Sequence, residues 1–219
     1  MNIVMLGSPG AGKGTYAKIL SEKYSIPHIS TGDLFRDIVK EDTELGRKVK
    51  EILDSGGLQS DDITLEILRK RLEKDDCKKG FILDGYPRNL SQAESLSTVS
   101  DIDLVLYFVA SESVVLDRLG GRLTCPRCSA IFHMKNIPPK VEGKCDHCGA
   151  DLYQRPDQMP EAIKKRLALY KEVTAPLIDY YKEKGKIKEI SSDPPIKELK
   201  KIIGPCTEII DSKLKEETN

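Results

Sequence analysis

The sequence predicts an α/β fold in which a parallel sheet lies between helical layers and is interrupted by two insertions. Three observations carry this reading. Short apolar runs alternate with longer, charged stretches of helical period, the pattern of repeated βα units. The first of those runs, Ile3 to Leu6, passes at once into the glycine-rich segment Gly7 to Gly14. Two stretches, Gly32 to about Gln59 and Gly121 to about Pro160, break the alternation.

Ile3 to Leu6 reads as a buried strand, and Lys13 to about Tyr24 as its helix, with Ala17, Leu20 and Tyr24 on one face. Pro27 to Ser30, Phe81 to Leu83, Leu104 to Val109 and Ile187 to Ile190 are further strands, rich in β-branched and aromatic residues. Parallel strands covered on both faces are expected to read as solid apolar runs, as Phe81 to Leu83 and Leu104 to Val109 do. Gly32 to Gln59 is mostly helical and polar, and the Gly56-Gly57 pair ends it. Gly121 to Pro160 holds four cysteines with several prolines and glycines, and reads as a small module of its own. Pro160 is placed to open a helix running through Tyr181, since proline suits a first turn. Pro176 should kink that helix by removing a hydrogen bond and crowding the preceding turn. The charged end, Ser212 to Asn219, is expected to fray.

A length of 219 residues suits one domain, or one domain with small insertions, and can bury a core without disulfides. Lys plus Arg and Asp plus Glu balance at 35 each. That balance argues against non-specific nucleic-acid binding, which a basic excess drives. It leaves room for a local arginine cluster around an anionic ligand. Met1 to Leu6 lacks the basic start of a signal peptide, and no apolar run approaches a membrane span. The expectation is a soluble, cytoplasmic protein with no membrane contact. In that reducing setting, the six cysteines point to metal binding or burial rather than disulfides.

Gly7-Ser8-Pro9-Gly10-Ala11-Gly12-Lys13-Gly14-Thr15 joins the first strand to the first helix. Such a loop presents backbone N–H groups at the positive end of a helix, where phosphate binds. Its glycines let the backbone close on the phosphates, and Lys13 carries a full charge to them. Gly10, Ala11, Gly12, Lys13, Gly14 and Thr15 are therefore the candidate ATP-phosphate residues of a P-loop core. Gly14 stands where the general pattern has Ser or Thr, with Thr15 following.

Cys125-Pro126-Arg127-Cys128 and Cys145-Asp146-His147-Cys148 form two CxxC pairs 16 residues apart. Two thiolates from each turn can enclose a tetrahedral, structural Zn²⁺ with no open catalytic position. Two disulfides are the alternative, and His147 is a competing ligand; the four cysteines are favoured. Cys77 and Cys206 have no partner at metal spacing and read as ordinary buried or surface residues.

Around these motifs the chain resembles adenylate kinase along nearly its whole length, in the zinc-bearing, long-lid branch. The GxPGxGKGT form of the phosphate loop is itself characteristic of nucleoside-monophosphate kinases. Thr31-Gly32-Asp33-Leu34-Phe35-Arg36 is similar to the family's TGDxxR segment, which implies AMP contacts from Thr31 and Arg36. Gly57-Leu58-Gln59 matches the stretch over the acceptor base, with Gln59 where the family commonly has Val. Asp84-Gly85-Tyr86-Pro87-Arg88-Asn89-Leu90-Ser91-Gln92 resembles the DG(F/Y)PR…Q motif, at a strand end where open α/β sheets bind ligands. The resemblance implies that Asp84 holds water around Mg²⁺ and that Arg88 grips phosphate. It implies that Gln92 offers a donor and an acceptor to adenine, with Gly85, Tyr86 and Pro87 lining the AMP site.

The cysteine module corresponds to the family's zinc lid, with Pro138-Pro139-Lys140-Val141-Glu142-Gly143 between the pairs. Correspondence puts Arg122 at ATP, Arg118 near the transferring group, and Arg155 and Arg166 at the AMP phosphate. Asp157 would orient arginines, and Ile131 and Phe132 would cover the ATP base. Leu123 replaces an arginine frequent in the family. Pro194, in Ser191-Ser192-Asp193-Pro194, falls where a backbone carbonyl meets the ATP base. The implied organisation is a core of residues 1–29, 60–120 and 161–219, a monophosphate-binding insertion at 30–59 and a lid at 121–160. The implied reaction is MgATP plus AMP giving two ADP, in a monomer that binds no nucleic acid. The rivals are a UMP or CMP kinase on the same scaffold and an ATP-switched zinc-ribbon nucleic-acid-binding protein.

Overall fold

The computed structural model describes residues 1–41 and 43–218; Asp42, inside the first insertion, and Asn219, at the charged end, lie outside the described residues. Elements in chain order are β1 (Asn2–Gly7), α1 (Lys13–Tyr24), β2 (His28–Ser30), α2 (Thr31–Lys40), α3 (Glu44–Asp54), α4 (Asp61–Leu72), β3 (Phe81–Asp84), α5 (Leu90–Val99), β4 (Leu104–Val109) and α6 (Glu112–Gly120). There follow β5 (Arg122–Thr124), β6 (Ile131–His133), α7 (Pro160–Leu169), α8 (Leu177–Glu183), β7 (Ile187–Ser191) and α9 (Lys200–Thr218).

Side chains alternating along β1 divide the core in two. Ile3 and Met5 join Leu20, Leu106, Phe108 and Ile202 on the face covered by α1 and α9. Val4 and Leu6 join Leu83, Val105, Leu68, Leu96 and Leu177 on the face covered by α4, α5 and α8. Burial on both faces is why the inner strands β1, β3 and β4 are solid apolar runs, while β7 carries the exposed Lys188 and Glu189. The sheet has five strands in the order β2-β3-β1-β4-β7, all parallel. The register sets Met5 of β1 and Ser30 of β2 beside Asp84, the last residue of β3. The glycine-rich loop and the Asp84 motif therefore leave the same edge of the sheet.

The first insertion folds as α2 and α3, capped at their starts by Ser30 Oγ, which accepts from the Asp33 N–H at 3.3 Å, and Thr43 Oγ1, which accepts from Gly46 at 3.0 Å. The second insertion carries the antiparallel hairpin β5–β6 and no helix of α type. Pro160 begins α7 as expected, and the break near Pro176 takes a definite form. A π-helical turn, Tyr170–Thr174, closes through Ala175 N–H to Tyr170 O at 2.8 Å, and Pro176 caps α8. The widened turn accommodates a residue that cannot donate to the carbonyl four before it.

The charged C-terminus differs from expectation. Rather than fraying from Ser212, α9 continues through Thr218, and Ser212 Oγ donates to Glu208 O at 2.8 Å. Cys206 is buried and its thiol donates to Ile202 O at 3.0 Å, while Cys77 packs beside Arg71. Among the described residues no helix is long and apolar enough to cross a membrane.

Candidate active site

Gly12 caps α1 with φ 90° and ψ 5°, a left-handed conformation in which a Cβ would lie 2.7 Å from the Tyr16 ring. Only glycine fits that turn, and the start of α1 from Lys13 to Thr15 lines a cavity of about 740 Å³. Gly14, the departure from the general pattern, stands where a Cβ would lie 3.2 Å from Asp84 Oδ2. Its missing side chain keeps the space between the loop and that carboxylate open.

Along the cavity wall are seven cationic side chains, Lys13, Lys18, Arg36, Arg88, Arg122, Arg155 and Arg166, against four carboxylates, Glu22, Asp33, Asp84 and Asp157. Lys13 Nζ donates to Gly7 O at 2.7 Å and Ser8 O at 3.0 Å. Burial draws its ammonium down to about 8, with Asp84 opposing and Arg88, Arg166 and Arg122 adding to the fall. Arg122 is brought to about 9, first by burial, then by Arg155 and Arg166. Burial likewise lowers Arg88, Arg155 and Arg166. A phosphate placed among these cations would oppose that shift, since an opposite charge favours the ionised form.

Two acids organise the cluster. Asp157 pairs with Arg155 Nε at 3.0 Å and Arg166 Nη1 at 2.5 Å. Asp84 lies 3.5 Å from His28 Nε2. Burial works against its charge, yet His28, Lys13 and Arg88 together hold the carboxyl below its usual range. An ionised carboxylate facing the phosphate loop suits a hydrated Mg²⁺. Arg36 pairs with Asp33, and Arg88 Nε donates to Gly85 O at 2.7 Å. Gly85, at φ 81°, sits between Thr31 Oγ1 and the Arg88 guanidinium, 3.0 and 3.1 Å from where a Cβ would be. Thr31 does not cap α2; its hydroxyl donates to Gly85 O at 2.9 Å, tying the first insertion to the Asp84 motif.

A smaller cavity, about 350 Å³, opens on the other side of the loop between Gly10, Thr15, Arg118, Ile131, Phe132 and Ile196. Arg118 lines this cavity and not the larger one. Its Nη2 donates to Ser192 O at 2.7 Å and Pro194 O at 3.0 Å. The Pro194 carbonyl is thus engaged by the protein, and Asp193, Pro195 and Ile196 form the wall instead.

Gly10, Gly12, Lys13, Gly14, Thr15, Arg36, Gly57, Leu58, Asp84, Gly85, Pro87, Arg88, Arg122, Ile131, Arg155, Asp157 and Arg166 all meet in the larger cavity. Ala11, Thr31, Gln59, Tyr86 and Gln92 lie buried behind that wall. Gln59 turns inward, donating to Val49 O at 2.9 Å. Several contributors carried no signal in the sequence. His28 and Tyr16 enter through the sheet and α1. His133 anchors the β5–β6 hairpin: its Nδ1 accepts from the Lys135 and Asn136 N–H groups, both at 3.1 Å, so Nε2 donates to Asp117 O at 3.0 Å.

In the cysteine module the two turns are built alike. Cys125 N–H donates to Ala130 O and Ser129 N–H to Cys125 O; Cys145 N–H donates to Ala150 O and Gly149 N–H to Cys145 O. The sulfurs of Cys125, Cys128, Cys145 and Cys148 lie within 4.8 Å of one another. The closest separations are 3.4, 3.5 and 3.7 Å, too long for disulfides and near the roughly 3.8 Å edge of a tetrahedron with 2.3 Å Zn–S bonds. Backbone N–H groups of Cys128 and Arg127, working against burial, hold Cys125 below the ordinary thiol range, whereas burial and the neighbouring sulfurs push Cys128 and Cys148 above it. The donor set fits zinc.

An adenylate kinase family model matches residues 5–186. An adenylate kinase of Treponema denticola is 54% identical over 194 residues, covering 89% of this chain and 93% of its own. One of Thermosipho africanus is 49% identical over 212 residues, 93% of this chain and 99% of its own. One of Archaeoglobus fulgidus is 46% identical over 217 residues, 97% and 100%. With two cavities meeting at one phosphate loop, a wall rich in arginine and likeness over almost its full length, this chain belongs to the adenylate kinase family of ATP:AMP phosphotransferases.

Proposed function

We propose that the chain catalyses the reversible reaction of MgATP with AMP to give two ADP, with the donor base in the smaller cavity and both phosphate chains in the larger. The observation that carries this is the excess of cations lining one cavity, the half-buried Lys13, Arg88, Arg122 and Arg166 and the buried Arg155 among them. The acceptor is already an anionic phosphate, so no general base is needed; alignment and charge compensation do the work. Lys13 would leave the Gly7 and Ser8 carbonyls for the donor's phosphate oxygens. Arg88, Arg155 and Arg166 would grip the acceptor phosphate, with Asp157 setting the last two, and Arg122 would meet the transferring group. Mg²⁺, bound with ATP, supplies charge neutralisation on the donor oxygens, and Asp84 would hold its water shell.

Gln92 would read the acceptor base with the spare capacity of its amide, while Thr31, Arg36, Gly57, Leu58 and the Gln59 backbone close over the nucleotide. Ile131, Phe132 and Arg118 would cover the donor base, Arg118 being braced there by the Ser192 and Pro194 carbonyls. Residues 30–59 and 121–160 would move against the sheet core, excluding water as the competing acceptor. The four cysteines would hold a structural Zn²⁺ that keeps the lid rigid and takes no part in the chemistry. The balanced charge supports a site free of nucleic acid, and free thiols suit the cytoplasm.

A coupled ADP assay with AMP, GMP, CMP and UMP, run with metal analysis of the purified protein, tests the reading. AMP is expected to lead, with one zinc per chain. Preference for UMP or CMP would overturn the acceptor. Salt-dependent binding of DNA or RNA without AMP-dependent turnover would favour the zinc-ribbon rival.

A further inference from the structure

Asp61 opens α4 and reads as an ordinary first-turn acid, favourable to the helix dipole. Its carboxylate does more than that. It accepts from Asn89 Nδ2 at 3.1 and 3.2 Å and from Gln92 Nε2 at 2.7 Å, crossing from α4 to the Asp84 motif. The opposite end of the Gln92 amide is held too: Oε1 accepts the Arg88 N–H at 2.7 Å. The Gln92 N–H is itself tied to Asn89 Oδ1 at 2.7 Å.

A side-chain amide has one donor end and one acceptor end, which a half-turn exchanges. Here a half-turn would set the amide NH₂ against the Arg88 N–H, and the amide oxygen against the Asp61 carboxylate. Both contacts would be like against like in a residue only 2% exposed. The amide is locked in one sense, and each of its ends keeps one unused site, a lone pair on Oε1 and a hydrogen on Nε2.

We propose that Asp61 is a specificity-determining positioning residue: by fixing the sense of the Gln92 amide, it selects acceptor nucleotides whose base shows adenine's donor–acceptor order. This rests on the reading of Gln92 as the group that meets the acceptor base. Adenine and cytosine present an exocyclic amino donor beside a ring-nitrogen acceptor. Guanine and uracil present a carbonyl beside a ring N–H, the reverse order. A locked amide matches the first pair and opposes the second, and unpaired polar groups in a buried site discriminate strongly.

The test uses the full-length protein and its Asp61→Asn and Asp61→Glu variants, assayed with AMP, GMP, CMP and UMP, together with the KM for ATP and melting curves. Asparagine offers either end and so releases half the lock. Its KM for AMP should rise about tenfold with kcat within about twofold. GMP should gain about tenfold on AMP, equivalent to about 1.4 kcal/mol. The KM for ATP should not change. Asp61→Glu keeps an acceptor and should retain the preference within about threefold; it decides the question if the asparagine variant melts below the assay temperature. An unchanged AMP:GMP ratio in Asp61→Asn overturns the proposal. So does an equal loss of kcat with every acceptor, which would mark a structural role. A native enzyme that prefers CMP would sink the AMP reading and leave the lock standing; one that prefers GMP or UMP would sink both.

Discussion

The sheet and the cysteine module are held together by different physics. Two apolar clusters, of 15 and 14 buried residues, cover the faces of the sheet. The module's own cluster has three, Cys125, Phe132 and Cys145. Apolar side chains from the strands and from the helices on either face interlock there, and burial on this scale stabilises both together. The module packs only three buried residues of its own, so its order rests on its turns and on the four sulfurs that close upon one point. The module therefore depends on the cross-link that its four thiols offer, and the sheet does not. Stability lies in the apolar layers, whereas the anion-binding charge is collected where the two regions meet.

The largest effect should come from a change that touches charge and spares both regions' packing. Lys13→Met is expected to lower kcat about a thousandfold, read in a coupled ADP assay. Turnover within tenfold of the native enzyme would break the separation between chemistry and scaffold. The same substitution should leave a pH signature in the nucleotide-free protein. The Lys13 ammonium titrates near 8 in the fold, against 10.5 when unfolded. Between those values the unfolded chain binds more protons, so Lys13 makes stability rise with pH there, and its burial penalty is complete below pH 8. Denaturant melts should show Lys13→Met the more stable protein at pH 7, by on the order of 3 kcal/mol. The gap should close toward pH 10.5; a gap independent of pH refutes the assignment.

At the joint between the regions, Asp157→Asn removes the carboxylate that Arg155 and Arg166 share. The specificity constant for AMP should fall about a hundredfold, through kcat and KM together, while KM for ATP moves little. A loss confined to the melting temperature would make Asp157 a scaffold residue. Smallest in its global effect is metal removal. Chelation should lower the melting midpoint by roughly 5 °C, before low-temperature kinetics change. Amide exchange should rise across β5 and β6 and stay slow in β1 and β4. An unchanged melting curve after verified metal loss, or equal loss of protection in the sheet, would break the contrast drawn above.

Much of this was readable in one dimension. The phosphate loop, the strands and the paired cysteines are local patterns, and the Asp84 motif was placed by the strand it ends. Other parts were not. Arg118 looked like a partner for the transferring group but lines the smaller cavity, braced by the Ser192 and Pro194 carbonyls. Gln92 and Gln59 spend hydrogen bonds inside the protein, on Asp61, Arg88 and Val49. Pro176 announced a break but not the π-helical turn that absorbs it. His28, Tyr16, Asp61 and His133 are unremarkable residue types in unremarkable places until their neighbours are known.

The sequence by itself determined the phosphate loop and the cysteine turns, because the backbone bonds that shape them close within a few residues, as from Cys125 N–H to Ala130 O. It determined the doubly covered sheet as well, since apolar runs of strand length leave few other ways to bury themselves. Only the tertiary structure decided which charge faces which. Gln92 finds Asp61 across 31 positions and Arg118 finds Ser192 across 74. Hydrogen bonds and ion pairs act over a few ångströms, and nothing in the spacing of such residues says which of them folding will bring that close.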